Sequence, residues 1–176
     1  IEGHWELFPL DNDKLNTLNV YTDEMWSRAQ MQLIEGMGMT VLDATDHMTF
    51  LLLHAYKHFI NSGVGIRQLC DIAQWSKHYA LDWRRIYDVM RSVHGECFAA
   101  AVFDAGERYF GMEYPPFFER SDCTALINDA LDGGIYGASD MSRKHSGSMT
   151  LEAVDASEKG KTGRPLLRTL FPNRSV

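Results

Sequence analysis

His47, His54 and His58 are spaced i, i+7 and i+11, so on a helix turning about 100° per residue they fall within about 40° of one another. Lys57 flanks the same stripe. Imidazole nitrogens can ligate a metal, and His54 with His58 has the i, i+4 spacing for it. The peptide His54-Ala55-Tyr56-Lys57-His58 lacks the glutamate of the zinc-protease pattern, and an ammonium beside the pair repels a cation, so no zinc is expected. Two other readings stay open. The histidines line a polar groove or are satisfied within a core; or two imidazoles and an ammonium present N–H donors to an anion such as a phosphate chain.

Arg67 and Asp71 form a second i, i+4 set. As an exposed ion pair with the cation first it is worth only a few tenths of a kcal/mol, about 0.3. The short Gly63-Val64-Gly65 connection puts its helix beside the histidine helix, so a shared site is the alternative to a merely structural pair. Glu2, His4 and Glu6 alternate along the opening residues, and two carboxylates on one strand face suit either Mg²⁺, which takes oxygen ligands, or the solvated face of an edge strand. Asp11-Asn12-Asp13 follows Pro9 and reads as a turn. The P-loop, nucleophile-elbow and dinucleotide-binding glycine patterns are all missing.

These residues need elements to hold them. Ile1, Gly3, Trp5 and Leu7 alternate with Glu2, His4, Glu6 and Phe8, which predicts a strand ended by Pro9. Thr22 or Asp23 is the expected cap of a short helix through Met25, Trp26, Ala29 and Gln30, and Gln32 to Leu42, with Gly36 and Gly38, reads as a glycine-broken hairpin or extended loop. The clearest helix runs from about Asp46 to Ile60, with Thr45 or Asp43 as N-cap and Met48, Leu51, Leu52, Ala55 and Phe59 at helical spacing. Further helices are expected from Ile66 to about His78, after a cap at Asp82, from near Cys97 to Phe110 closed by Gly111, and from a cap at Ser121 to Leu131. The fold class is therefore mainly α: a multi-helix domain with a short N-terminal strand and hairpin region. Residues 1–42 make the strand and hairpin part, 43–131 a helical domain, 132–165 a flexible Gly/Ser/charged loop, and 166–176 the start of a C-terminal segment.

Composition narrows the function. With 176 residues and 45% hydrophobic content, the chain can bury about 70% of its extended surface without metal or disulfide support. Net charge −7, with no clustered Lys/Arg patch, argues against duplex nucleic acid and anionic membranes as partners. Cys70, Cys97 and Cys123 are odd in number and form no CxxC, as expected for a reducing, cytoplasmic compartment. The longest apolar run, Met48 to Ile60, is broken by His54, Lys57 and His58 and is too short to span a bilayer. The abrupt opening on Ile1 suggests a truncated fragment, with the strand around Glu2 as an exposed edge able to pair with a second copy.

The order Ile1-Glu2-Gly3-His4-Trp5, His54-x-x-Lys57-His58, Arg67-x-x-x-Asp71-Ile72, Asp82-Trp83, Gly134-Ile135-Tyr136-Gly137 and Leu170-Phe171-Pro172 resembles a nucleotidyltransferase family of the polymerase-beta-like superfamily. The resemblance implies the remnant of an α+β nucleotidyltransferase, in which a hydroxyl attacks the α-phosphorus of an NTP, pyrophosphate leaves and Mg²⁺ ions clamp the oxygens. Glu2 matches the third metal-binding carboxylate, at once catalytic and metal-ligating. His54, Lys57, His58 and Arg67 would face the nucleotide's phosphates, with Asp71 orienting Arg67. The superfamily's Gly-Ser loop and Asp-x-Asp are missing from these residues, so the chain by itself is expected to be inactive, with nucleotide and an unidentified acceptor as partners of the parent enzyme. The competing expectation is a non-catalytic helical interaction module.

Overall fold

The computed structural model describes residues 19–61 and 63–132. In chain order these form α1 (Asn19–Ser27), β1 (Gln30–Ile34), β2 (Met37–Val41), α2 (Ala44–Asn61), α3 (Ile66–His78), α4 (Trp83–Ser92), α5 (Glu96–Phe110) and α6 (Thr124–Asp132). The mainly α class expected from the sequence is what the described residues adopt. The expected strand over Ile1 to Phe8, with Glu2, and the stretch beyond Asp132 lie outside them.

Local chemistry explains most boundaries. Asp43 caps α2: its Oδ1 accepts the Asp46 N–H at 2.7 Å while its carbonyl accepts from His47 N. Thr45, the other candidate cap, instead accepts the Asp82 N–H at 3.1 Å and ties the start of α4 to α2. Gly63, at φ 90, closes α2 by donating to the His58 carbonyl, a conformation that disfavours any residue with a Cβ. Gln68 reaches back to the Gly65 N–H at 2.9 Å, and Asp82 accepts from Arg84 N and Arg85 N, starting α3 and α4 in turn. Gly111 takes the left-handed position at the end of α5.

Three expectations are corrected. The first helix begins at Asn19, ahead of both Thr22 and Asp23; Thr22 bonds back to the Asn19 carbonyl from inside it. Gln30 belongs to β1, and the hairpin starts there, two residues before the expected Gln32, because Glu35 (φ 51) and Gly36 (φ 83) supply the paired positive φ values of a tight turn between Ile34 and Met37. Cys123, rather than Ser121, is the cap residue of α6, its carbonyl accepting from Ile127 N; Asp122 just ahead of it accepts from Thr124 N and Oγ1, and buried Asp104 accepts the Cys123 N–H at 3.0 Å.

The core is organised around α5, whose residues from Phe98 to Gly106 are all buried. A helix hydrophobic all round must be covered on every side, and α2, α3, α4 and α6 each pack on it. Ala99, Ala101 and Ala105, fully buried, permit that close approach. Larger side chains fill the space between helices: Met48, Leu52 and Leu53 from α2, Leu69 and Ile72 from α3, Ile86 and Met90 from α4. Phe103 sits edge-on to Trp83 and Phe118 at 5.5 and 4.8 Å, an arrangement that adds to simple burial.

The α1 and hairpin region is fastened to this bundle by charge. Arg28 donates to both oxygens of Asp46 at 2.8 and 2.9 Å, and Arg85 donates to both oxygens of Asp43 while standing 3.6 Å from Asp46. Asp46 is only 2% exposed, so two cations are needed to compensate it. The hairpin itself carries Met31, Leu33, Ile34, Met37 and Met39 exposed. Among the described residues no helix is long and apolar enough to cross a membrane.

Candidate functional site

Helices α2 and α3 form the scaffold of the site. Because they are joined by a tight connection at Gly63–Gly65, and because His47 near the start of α2 stacks on Trp75 near the end of α3, the two run antiparallel. His58 and Arg67 therefore belong to the connected end of this helical hairpin, and His47, Trp75 and Tyr79 to the other.

At the connected end, His54 and His58 are brought together. Their Nε2 atoms are 3.1 Å apart and their rings meet edge-on at 4.5 Å. A bond between two imidazole nitrogens needs one N–H and one lone pair, so at least one ring of the pair is neutral while it persists. Phe50 stacks on His54 one turn earlier, at 6.1 Å and 14°, which limits the ring's rotation. Lys57 lies between them in sequence and is half-buried. On α3, Arg67 Nε stands 3.9 Å from Asp71 Oδ2, with side chains 61% and 55% exposed, so water screens the pair and the guanidinium keeps most of its surface accessible.

The helical stripe seen in the sequence is thus divided by its neighbours. His47 shares the stripe with His54 and His58, but it stacks on Trp75 at 3.9 Å and 19°, and burial pushes its pKa below the ordinary value of 6.5. Trp75 is stacked on its far side by Tyr79 at 4.1 Å, and its indole N–H donates to the Ala44 carbonyl at 2.9 Å. These rings border a cleft of about 450 Å³, lined also by Leu51, Asp71, Gln74 and His78. Trp75, Tyr79, Gln74 and His78 went unrecognised as site residues in the sequence, where aromatic residues at i, i+4 read equally well as core. The accompanying polar pair at Gln74 and His78, with the same spacing, is the signal that could have marked the face as open.

Among the described residues one group of three ligands, Asp104, Asp122 and Cys123, has the spacing for a divalent metal, and its chemistry does not fit one. Ligand atoms of Asp104, Asp122 and Cys123 lie within 4.8 Å of one another, but Arg108 is 2.9 Å from Asp104 and 3.6 Å from Asp122 and already supplies the cation. Burial, together with the Asp104 carboxylate, pushes the Cys123 thiol up to about 12. Asp43 and Asp46 are taken by Arg28 and Arg85. Glu2, the carboxylate assigned to Mg²⁺ by resemblance, lies outside the described residues. No disulfide joins Cys70, Cys97 and Cys123.

Comparison with known proteins places this geometry in a family. No curated protein and no solved structure matches the chain. A family model described as an uncharacterised nucleotidyltransferase matches residues 1–111, which takes in Glu2, the histidine pair, Arg67 and Asp71 and all of α2 to α5. The chain belongs to this uncharacterised nucleotidyltransferase family.

Proposed function

We propose that the connected end of the α2–α3 hairpin binds the polyphosphate of an NTP whose nucleoside monophosphate is transferred to an acceptor. The observation that carries this reading is the bonded His54–His58 pair, set at the same end of the hairpin as Arg67 in a chain of the nucleotidyltransferase family. Fixed N–H donors and cations favour negative charge as it builds on the departing pyrophosphate, without reorganising at that moment. In this reading Lys57 acts as a point charge, Arg67 as a two-pronged donor to phosphate oxygens, and the histidine pair as a donor through the Nδ1–H of the ring whose Nε2 accepts within the pair. Asp71 keeps the guanidinium from leaving its turn of α3. Glu2 is assigned to Mg²⁺, as the resemblance implies.

The test uses the full chain and inorganic triphosphate, followed by calorimetry. Lys57→Ala and Arg67→Ala should each weaken binding about 10-fold, the range expected when one charge-assisted hydrogen bond is removed. Unchanged affinity in both variants would eliminate the phosphate site.

A further inference from the structure

The two rings at the connected end are set more closely than a straight hydrogen bond between them allows. Their Nε2 atoms are 3.1 Å apart and their centroids 4.5 Å apart. The centroid distance exceeds the nitrogen distance by less than the two ring radii together, so the rings do not point head-on at each other, the approach that an N–H···N bond favours. Both nitrogens can instead face one point beside the line that joins them. Two imidazole nitrogens bound to one Zn²⁺ at tetrahedral angles, each about 2.0–2.1 Å from it, are roughly 3.3 Å from each other. The observed 3.1 Å is within a few tenths of an ångström of that bite. Phe50 stacks on His54 and both histidines are half-buried, so little rotational freedom remains to be lost when an ion is bound.

We propose that His54 and His58 chelate one exchangeable transition-metal ion through their Nε2 atoms. Imidazole nitrogen suits Zn²⁺, Cu²⁺ and Ni²⁺, whereas Mg²⁺ and Ca²⁺ take oxygen. Among the described residues no group of three ligands includes either histidine, so the protein supplies two positions and water or an incoming oxygen ligand fills the others. Lys57 disfavours a cation, but it follows His54 by about 300° and precedes His58 by about 100° around the helix, so it leaves from a neighbouring face. The proton held between the nitrogens gives way to the ion, and its ring becomes the Nδ1–H tautomer, as the other already is. Two Nδ1–H donors then replace one. The ion is therefore compatible with phosphate at this end of the hairpin, and the chelate stands without that reading.

The test titrates ZnCl₂ into the full chain by calorimetry, in a buffer free of phosphate. Zn²⁺ should bind, and a ten-fold excess of MgCl₂ should not displace it. His54→Gln and His58→Gln should each weaken Zn²⁺ by at least the roughly 10–100-fold that loss of an outer-shell partner costs. Lys57→Ala should tighten Zn²⁺ about 2- to 5-fold by removing a screened repulsion, the opposite of its expected effect on triphosphate. Melting temperature gives a second readout: Zn²⁺ should raise it in the parent chain and leave it unchanged in both histidine variants. Zn²⁺ that fails to bind, that binds both variants as tightly as the parent chain, or that Mg²⁺ displaces overturns the metal site even if triphosphate binds. Zn²⁺ binding that is lost in both variants, in a chain that ignores triphosphate, upholds the metal site and removes the phosphate reading instead.

Discussion

Removing the exposed partner of the Arg28–Asp46 pair should be more damaging than removing the buried one. Asp46 is 2% exposed and accepts two bonds from Arg28, whose own side chain is 38% exposed; Arg85 stands farther off at 3.6 Å and is already bound to Asp43. Arg28→Ala leaves a carboxylate in the protein interior with one distant cation. Breaking a buried pair in this way costs about 3–5 kcal/mol, and the contact to Arg85 brings the expectation to the lower end, about 3 kcal/mol. Asp46→Ala leaves Arg28 able to turn toward water, so solvent screening reduces the loss to about 2 kcal/mol. With both removed, no buried charge is left over, and the double variant should be about 1 kcal/mol more stable than Arg28→Ala alone. Urea unfolding reads this directly: with a slope of about 2 kcal/mol per molar, Arg28→Ala should shift the midpoint down by about 1.5 M, and adding Asp46→Ala should recover about 0.5 M. Equal single losses that simply sum in the double variant would show that Asp46 is adequately solvated or compensated without Arg28.

Acid sensitivity and glycine geometry provide two further checks. His47 has its pKa lowered by burial, so the unfolded chain takes up a proton near pH 6.5 that the folded chain resists; stability should be fully present above that pH and fall as the pH drops below it, and His47→Phe should flatten this part of a melting-temperature profile. Gly111→Ala places a Cβ in open space at φ 65, so its cost should be only the left-handed backbone penalty of about 1–2 kcal/mol. Gly106→Ala sets a Cβ 2.7 Å from Met112 Sδ and 3.3 Å from its Cβ inside the core, and should cost about 1–3 kcal/mol by overpacking; thermal melts on both variants test the pair, and a Gly106→Ala protein as stable as the parent chain would show that Met112 can move aside freely.

The features legible in the sequence were those whose causes lie within a few residues. Asp43, Asp82 and Gly111 act on backbone groups in their own turn, and the alanine-rich run of α5 announces a buried helix without reference to its partners. Helix starts that depend on distant groups were misplaced: Asp104, 19 residues earlier, accepts the N–H of Cys123 and helps position α6. The candidate site divides along the same line. His54 and His58 pair within one helix, so their spacing alone brought them together. His47 looked equivalent, but its stacking partner Trp75 is 28 residues away on another helix, beyond the reach of any pattern within α2. Arg67 and Asp71 are placed where their spacing puts them, while the cleft beside Asp71 exists only once α2 and α3 are folded together.

The unbroken burial of α5 from Phe98 to Gly106 has a consequence for genetic screens. Both helices of the candidate site rest on this one element, and its alanines set how near they lie. A substitution of Ala99, Ala101 or Ala105 by a larger residue overpacks the core on which α2 and α3 rest, and so disturbs the candidate site without touching it. Random mutagenesis scored on the proposed nucleotide binding would therefore return small-residue positions in the middle of the molecule alongside the proposed contact residues. The two classes separate by substitution profile: contact positions follow the chemistry of the new side chain, whereas positions on α5 follow its volume.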